Sequence, residues 1–140
     1  MPEDMTSKIT VRASTNDITA DVMGAVVFTG NDILWFNETT KELRFKDNNS
    51  KKTVVLNHET LSFYIDGEYL FMAFTYVSVG SDAYDANAQN RLLFYYNSTE
   101  NKYFLKNDHE LTSTSDPNNE TTSEWNKFID QLKQEGRYNN

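Results

Sequence analysis

Apolar and polar residues alternate along most of the chain. In KITVRAS (8–14), Ile9, Val11 and Ala13 fall on one side, and Lys8, Thr10, Arg12 and Ser14 on the other. A period of two marks a half-buried strand, because successive side chains point to opposite faces. DVMGAVVFTG (21–30) predicts a second strand, with Gly24 at a bulge or a close backbone approach. DILWFN (32–37) has two readings. It is either a third strand or a single helical turn, capped by Asn31 or Asp32, that sets Ile33 and Phe36 on one side. The cap, and Asn37 as a stop, favour the turn. KELRFKD (41–47) predicts a strand with Leu43 and Phe45 facing one way, DNNSKK a turn, and TVVLN (53–57) a strand that pairs back.

LSFYIDGEYLFMAFTYVS (61–78) is the clearest hairpin. Asp66-Gly67 between two apolar runs suits a two-residue turn, since both residues tolerate positive φ. That turn sets Ile65 opposite Glu68, Tyr64 opposite Tyr69, Phe63 opposite Leu70 and Leu61 opposite Met72. One face then carries Leu61, Phe63, Ile65, Leu70, Met72, Phe74 and Tyr76, with Glu68 at its rim; this is the expected core face. The other face, with Tyr64, Tyr69, Phe71, Ala73 and Val77, is apolar enough to need partial cover.

VGSDAYDANAQN (79–90) predicts a polar loop. RLLFYYN (91–97) and KYFLKN (102–107) flank STEN as a second hairpin, which sets Tyr96 against Tyr103 and Phe94 against Leu105. Residues 108–122 lack periodicity. A helix follows: Thr121 and Glu124 form a capping box, and Trp125, Phe128, Ile129 and Leu132 fall at i, i+3, i+4 and i+7. Gly136 ends it.

Residues 31–48 and 93–108 resemble each other. Leu34-Trp35-Phe36-Asn37 aligns with Phe94-Tyr95-Tyr96-Asn97, Thr39 with Thr99, and Lys46 with Lys106. Either a duplicated unit or convergence on the pattern of an aromatic hairpin accounts for this. On both readings these residues build core and turns.

Together these elements predict an α+β fold. A mainly antiparallel, hairpin-connected sheet of about six to eight strands carries one C-terminal amphipathic helix packed on it. Residues 1–7 are expected to be loose, 8–137 to form a single domain, and 138–140 to fray. The length of 140 residues suits one domain, and an aromatic content of 14% points to a ring-rich sheet core. Burying the four helix residues stabilises the domain by ~1.5–3 kcal/mol each.

The formal net charge of −8, with no basic run beyond Lys51-Lys52, argues against nucleic acid or an anionic membrane surface as partner. There is no cysteine, which excludes thiolate chemistry and Cys-ligated metal. The start MPEDMTSKIT has no hydrophobic signal core, as in a cytosolic protein or in a chain numbered after a removed export segment. His58 and His109 lack partners at zinc-type spacing and read as surface residues. No nucleophile elbow or phosphate loop is present, so no cofactor or metal is expected. The sequons at Asn37, Asn48, Asn97 and Asn119 are accounted for by the abundance of Asn, Ser and Thr.

The 79–90 loop is the candidate binding segment. Asp82, Asp85, Asn87 and Gln89 supply oxygens at a spacing loosely like a calcium loop, but without its central glycine and closing glutamate. Tyr84 either stacks on a sugar or partner, or packs the loop down. Asp82, Tyr84, Asp85 and Asn87 are the candidate binding residues.

FTGNDILWFNETTKELRFKD, LSFYIDGEYLFMA, RLLFYYNSTENKYFLKND and SEWNKFIDQLKQEGR, taken in order, resemble small exported lipoproteins of Gram-negative gut anaerobes. The resemblance spans roughly residues 27–137 in pieces, through structural motifs; it implies no catalytic or ligand residues. It implies a periplasmic or cell-surface location, with a lipid anchor on an N-terminal cysteine that this sequence does not contain. NDHELTSTSDPNN departs from the aromatic ending expected there. The expected function is a non-catalytic binding or scaffold domain of the bacterial cell envelope, with a protein or glycan partner. The alternatives are an inhibitor or partner-binding module using the 79–90 loop and the spare face of the 61–78 hairpin, and a small hydrolase using acidic residues. The hydrolase requires two carboxylates converging in a cleft.

Overall fold

The computed structural model describes residues 6–14, 24–58, 60–78, 92–107 and 123–139. In chain order these form β1 (Ile9–Ala13), β2 (Val26–Thr29), β3 (Ile33–Asn37), β4 (Glu42–Phe45), α1 (Lys52–Asn57), β5 (Thr60–Ile65) and β6 (Glu68–Ser78). They continue with β7 (Leu92–Asn97), β8 (Lys102–Asn107), α2 (Ser123–Gln134) and β9 (Tyr138–Asn139). The strands join in one nine-stranded sheet, ordered β2-β1-β5-β6-β7-β8-β4-β3-β9. The expected sheet plus C-terminal helix is present, but the sheet is larger than anticipated and mixed. β6 pairs with β7, and β3 with β9, in parallel. Parallel neighbours need a crossover of about a dozen residues or more, a length that the 79–91 stretch between β6 and β7 provides.

The sheet curls into a half-barrel. Phe28 on the β2 edge reaches across to Phe45 of β4, 4.9 Å between ring centroids, and to Phe94 of β7, 5.8 Å. α2 bridges the two limbs. Trp125 lies 5.9 Å from Phe36 on β3 and 5.8 Å from Phe71 on β6, and Phe128 meets Phe36, Phe63 and Phe71. The stripe Trp125, Phe128, Ile129 and Leu132 is buried as its spacing requires.

Several local expectations change. A helical turn covers Gly30–Asp32, capped two to three residues before the expected Asn31 or Asp32, and Ile33–Asn37 is a strand. Thr29 is the cap: its hydroxyl accepts from the Asn31 amide at 3.2 Å, while Asp32 accepts from the Thr29 amide at 3.0 Å. The strand reading of DILWFN therefore holds and the favoured turn over Ile33–Phe36 does not, because β4 and β9 give residues 33–37 backbone partners that an isolated turn lacks. TVVLN does not pair back. It lies in α1, which packs over β6 and β7 with Val54 in the core. Burial of Val54 overrides the strand preference of a Val-Val pair.

In the β5–β6 hairpin, Asp66 and Gly67 take φ of 53° and 82°, and Ile65–Glu68 and Tyr64–Tyr69 pair as expected. A register shift between Phe63 and Tyr64 then moves the rest by one residue, so Phe63 faces Phe71 and Leu61 faces Ala73. Because faces alternate strictly, the slip sends Phe71, Ala73 and Val77 to the core and leaves Met72 exposed. Gly24 does mark a close approach: a Cβ there would lie 1.7 Å from the Ala13 carbonyl oxygen.

The expected fraying of 138–140 gives way to β9 over Tyr138–Asn139. Gly136, at φ 71°, donates to Lys133 O at 3.2 Å, and Arg137 N donates to Leu132 O at 2.9 Å, a left-handed helix stop that turns the chain back. β3 and the residue after it then donate to the returning chain, from Phe36 N to Arg137 O at 2.9 Å and from Glu38 N to Asn139 O at 3.2 Å.

Candidate functional site

Where the tip of the β5–β6 hairpin meets α2, a groove of 260 Å³ opens. Its floor is Ile65 and Leu70; its walls are Glu68 from the hairpin and Lys127, Asp130, Gln131 and Gln134 from the helix. The placement follows from periodicity. With Trp125, Phe128, Ile129 and Leu132 turned to the core, residues 127, 130, 131 and 134 form the neighbouring stripe. The Asp66-Gly67 turn fixes Glu68 opposite Ile65 at the tip. Among the described residues neither Glu68 nor Asp130 has an ion-pair partner.

Behind the groove lies a polar knot. Glu135 Oε1 accepts from Ser7 Oγ at 2.6 Å and Arg137 Nε at 3.0 Å, and Oε2 from Lys8 N at 3.0 Å and Gln131 Nε2 at 2.7 Å. Arg137 Nη1 continues to Ile33 O at 3.0 Å, and Ser7 N donates to Asn31 Oδ1 at 2.9 Å. The segment leading into β1, the β2–β3 connection and the end of α2 are therefore tied at one carboxylate. Burial alone would raise the carboxyl of Glu135; hydrogen bonds from Ser7, Gln131, the Lys8 amide and Arg137 outweigh it and hold the group below its ordinary range. Gln131 belongs to both features. With its amide nitrogen held by Glu135, its carbonyl oxygen is the atom left to accept a hydrogen bond.

Among the described residues, the groove lining includes none of Trp35, Phe94 and Tyr96. Phe94 and Tyr96 are core residues, and Trp35 lies half-buried beneath Arg44, whose guanidinium carbon is 5.3 Å from the ring centroid. On the sheet face away from the core, Tyr76, Tyr95 and Phe104 stand in a row with centroids 5.4 and 5.7 Å apart, and Lys106 lies over Tyr95 and Phe104. These rings pack edge or tilt against one another, so they are not a flat stacking platform.

Asp82, Tyr84, Asp85 and Asn87 lie outside the described residues, as do His109, Asn119 and Thr121. Asn37, Asn48 and Asn97 use their side chains inside turns. Among the described residues no group of three or more His, Asp or Glu is placed to hold a metal, and no helix is long and apolar enough to cross a membrane. Sequence reasoning placed Glu68 at the rim of the core face but missed the groove and Glu135. The usable signals were the polar stripe beside the apolar one on α2, and the Glu135-Gly136-Arg137 stop.

No protein-family model matches the chain, and neither a curated protein nor a solved structure does.

Proposed function

We propose that the chain is a non-catalytic binding domain of a bacterial cell-envelope lipoprotein, and that it engages its partner at the groove between the β5–β6 hairpin and α2. One observation supports it most. The buried carboxylates are committed to structure, Glu135 to its knot and Glu42 to Arg44 at 2.9 Å, while Glu68 and Asp130, two of the acids without ion-pair partners among the described residues, flank a surface groove. A general acid works best when its pKa is raised toward the working pH, whereas Glu135 is shifted the other way. The envelope location rests on the resemblance of the hairpin and helix motifs alone.

Titrating a panel of peptides and envelope glycans into the isotope-labelled domain tests the reading. A saturable set of amide shifts confined to one surface is expected; hydrolysis of any probe would replace the reading with a hydrolase. Palmitate labelling and surface proteolysis of cells making the full-length protein test the location. An unlabelled cytosolic product removes the envelope part.

A further inference from the structure

We infer that the groove receives a long cationic side chain, lysine or arginine, presented by a partner polypeptide. This rests on the binding-domain reading and names its ligand class. The 260 Å³ volume is below the roughly 300–1,000 Å³ of sites for whole small molecules, so a single side chain is the better fit. Ile65 and Leu70 offer an apolar bed for a methylene stem, the part of lysine or arginine that buries readily while its head stays wet. Around that bed stand acceptors: the carboxylates of Glu68 and Asp130, neither ion-paired among the described residues, and the carbonyl oxygen of Gln131 that Glu135 leaves available.

The net charge of −8 draws a basic partner in from a distance. Glu68, Lys127, Asp130 and Gln134 are all exposed, so a free amine would remain largely solvated. A side chain held on a peptide gains further contacts beyond the groove. Lys127 is the opposing element, a like charge that weakens binding and limits the seat to one cation.

The probe is a blocked hexapeptide with one central lysine, titrated into the labelled domain. Control peptides carry norleucine or glutamate at that position, and cadaverine serves as the free amine. Shifts are expected at residues 65–70 and 127–134. Binding is expected to weaken about tenfold in Glu68→Gln/Asp130→Asn and to tighten severalfold in Lys127→Gln, as suits exposed charge pairs. These positions are exposed, and an unchanged amide spectrum checks that each variant is folded.

The inference is overturned if the norleucine peptide or cadaverine binds as well as the lysine peptide, or if shifts spread over the acidic surface and survive the double substitution. A silent groove, with saturable shifts elsewhere from the wider panel, overturns this inference and leaves the binding-domain reading standing. Silence toward every probe overturns both.

Discussion

In the β3–β4 hairpin, Asn37 Oδ1 accepts the amides of Thr39 and Thr40, both at 2.9 Å, and Lys41 closes the turn at φ 67°. In the β7–β8 hairpin, Asn97 Oδ1 accepts the amides of Thr99 and Glu100, at 3.0 and 3.1 Å, and Asn101 closes the turn at φ 55°. β4 and β8 lie side by side, with Leu43 facing Tyr103, a pair of corresponding positions, so a local two-fold relates the hairpins. The likeness stops at two places. Leu105 N donates directly to Lys41 O at 2.9 Å, but its counterpart Phe45 N donates to Asn48 Oδ1, and Asn48 Nδ2 donates to Asn101 O, each at 2.9 Å. One carboxamide is spliced in where the other side has a direct backbone bond.

The second difference is burial. Leu34 is 47% exposed, whereas its counterpart Phe94 is wholly buried. β7 runs between two full partners, while β3 has only two paired positions with β9 and a register shift between Ile33 and Trp35. Equivalent local sequence therefore acquires unequal energetic weight from its place in the sheet.

The largest expected contrast is between those two positions. Phe94→Ala should cost about 3–5 kcal/mol in urea melts and Leu34→Ala less than about 0.5 kcal/mol; equal costs would dissolve the distinction. Next, Trp125→Ala should cost about 3 kcal/mol, since the ring meets Phe36 and Phe71. Hydrogen exchange should show the loss first in β3–β4, which reaches α2 through Phe36, and an unaltered melt would remove the helix from the core.

Asn48→Ala strands the Phe45 amide and the Asn101 carbonyl, at about 2 kcal/mol. Exchange of Phe45 should quicken while Leu105 stays protected. Asn37→Ala and Asn97→Ala should cost about 1 kcal/mol each, and equally, if the turns are energetically equivalent. A gap between them larger than the first substitution's own error would mean that context reaches into the turns.

The smallest effect concerns pH. Glu135 is held below its ordinary range, so its contribution is complete above that range and fades as pH falls through the lowered folded value. Wild type should lose stability over that acid window, and Glu135→Gln should show a flatter profile there. Because Arg137 ties the knot to Ile33 O, the acid-labile exchange should appear in β3 and spare β7–β8.

Much of the fold was legible because its signals are local. The turn Asp66-Gly67, the pairs Tyr96–Tyr103 and Phe94–Leu105, and the stripe from Trp125 to Leu132 all depend on residues close in sequence. The β6 register beyond the Tyr64–Tyr69 pair was not legible, since the slip next to Tyr64 answers to what packs inside the half-barrel. α1 was missed for the same reason, as Val54 is helical where it meets β6 and β7. Of the groove, only Glu68 at the hairpin rim could be anticipated. Its other wall arrives from α2, which begins to line the groove only at Lys127, far along the chain from Glu68.

Alternation and turn chemistry were enough to determine that the chain makes a ring-rich sheet with an amphipathic C-terminal helix, because each depends on backbone geometry within a few residues. The curl that carries Phe28 to Phe45, the pairing of β9 with β3, and the meeting of Ser7, Asn31 and Glu135 were decided only when the chain closed on itself. Contacts between distant segments are selected by which surfaces can be buried together and which polar groups must then find partners, and one-dimensional spacing does not contain that information.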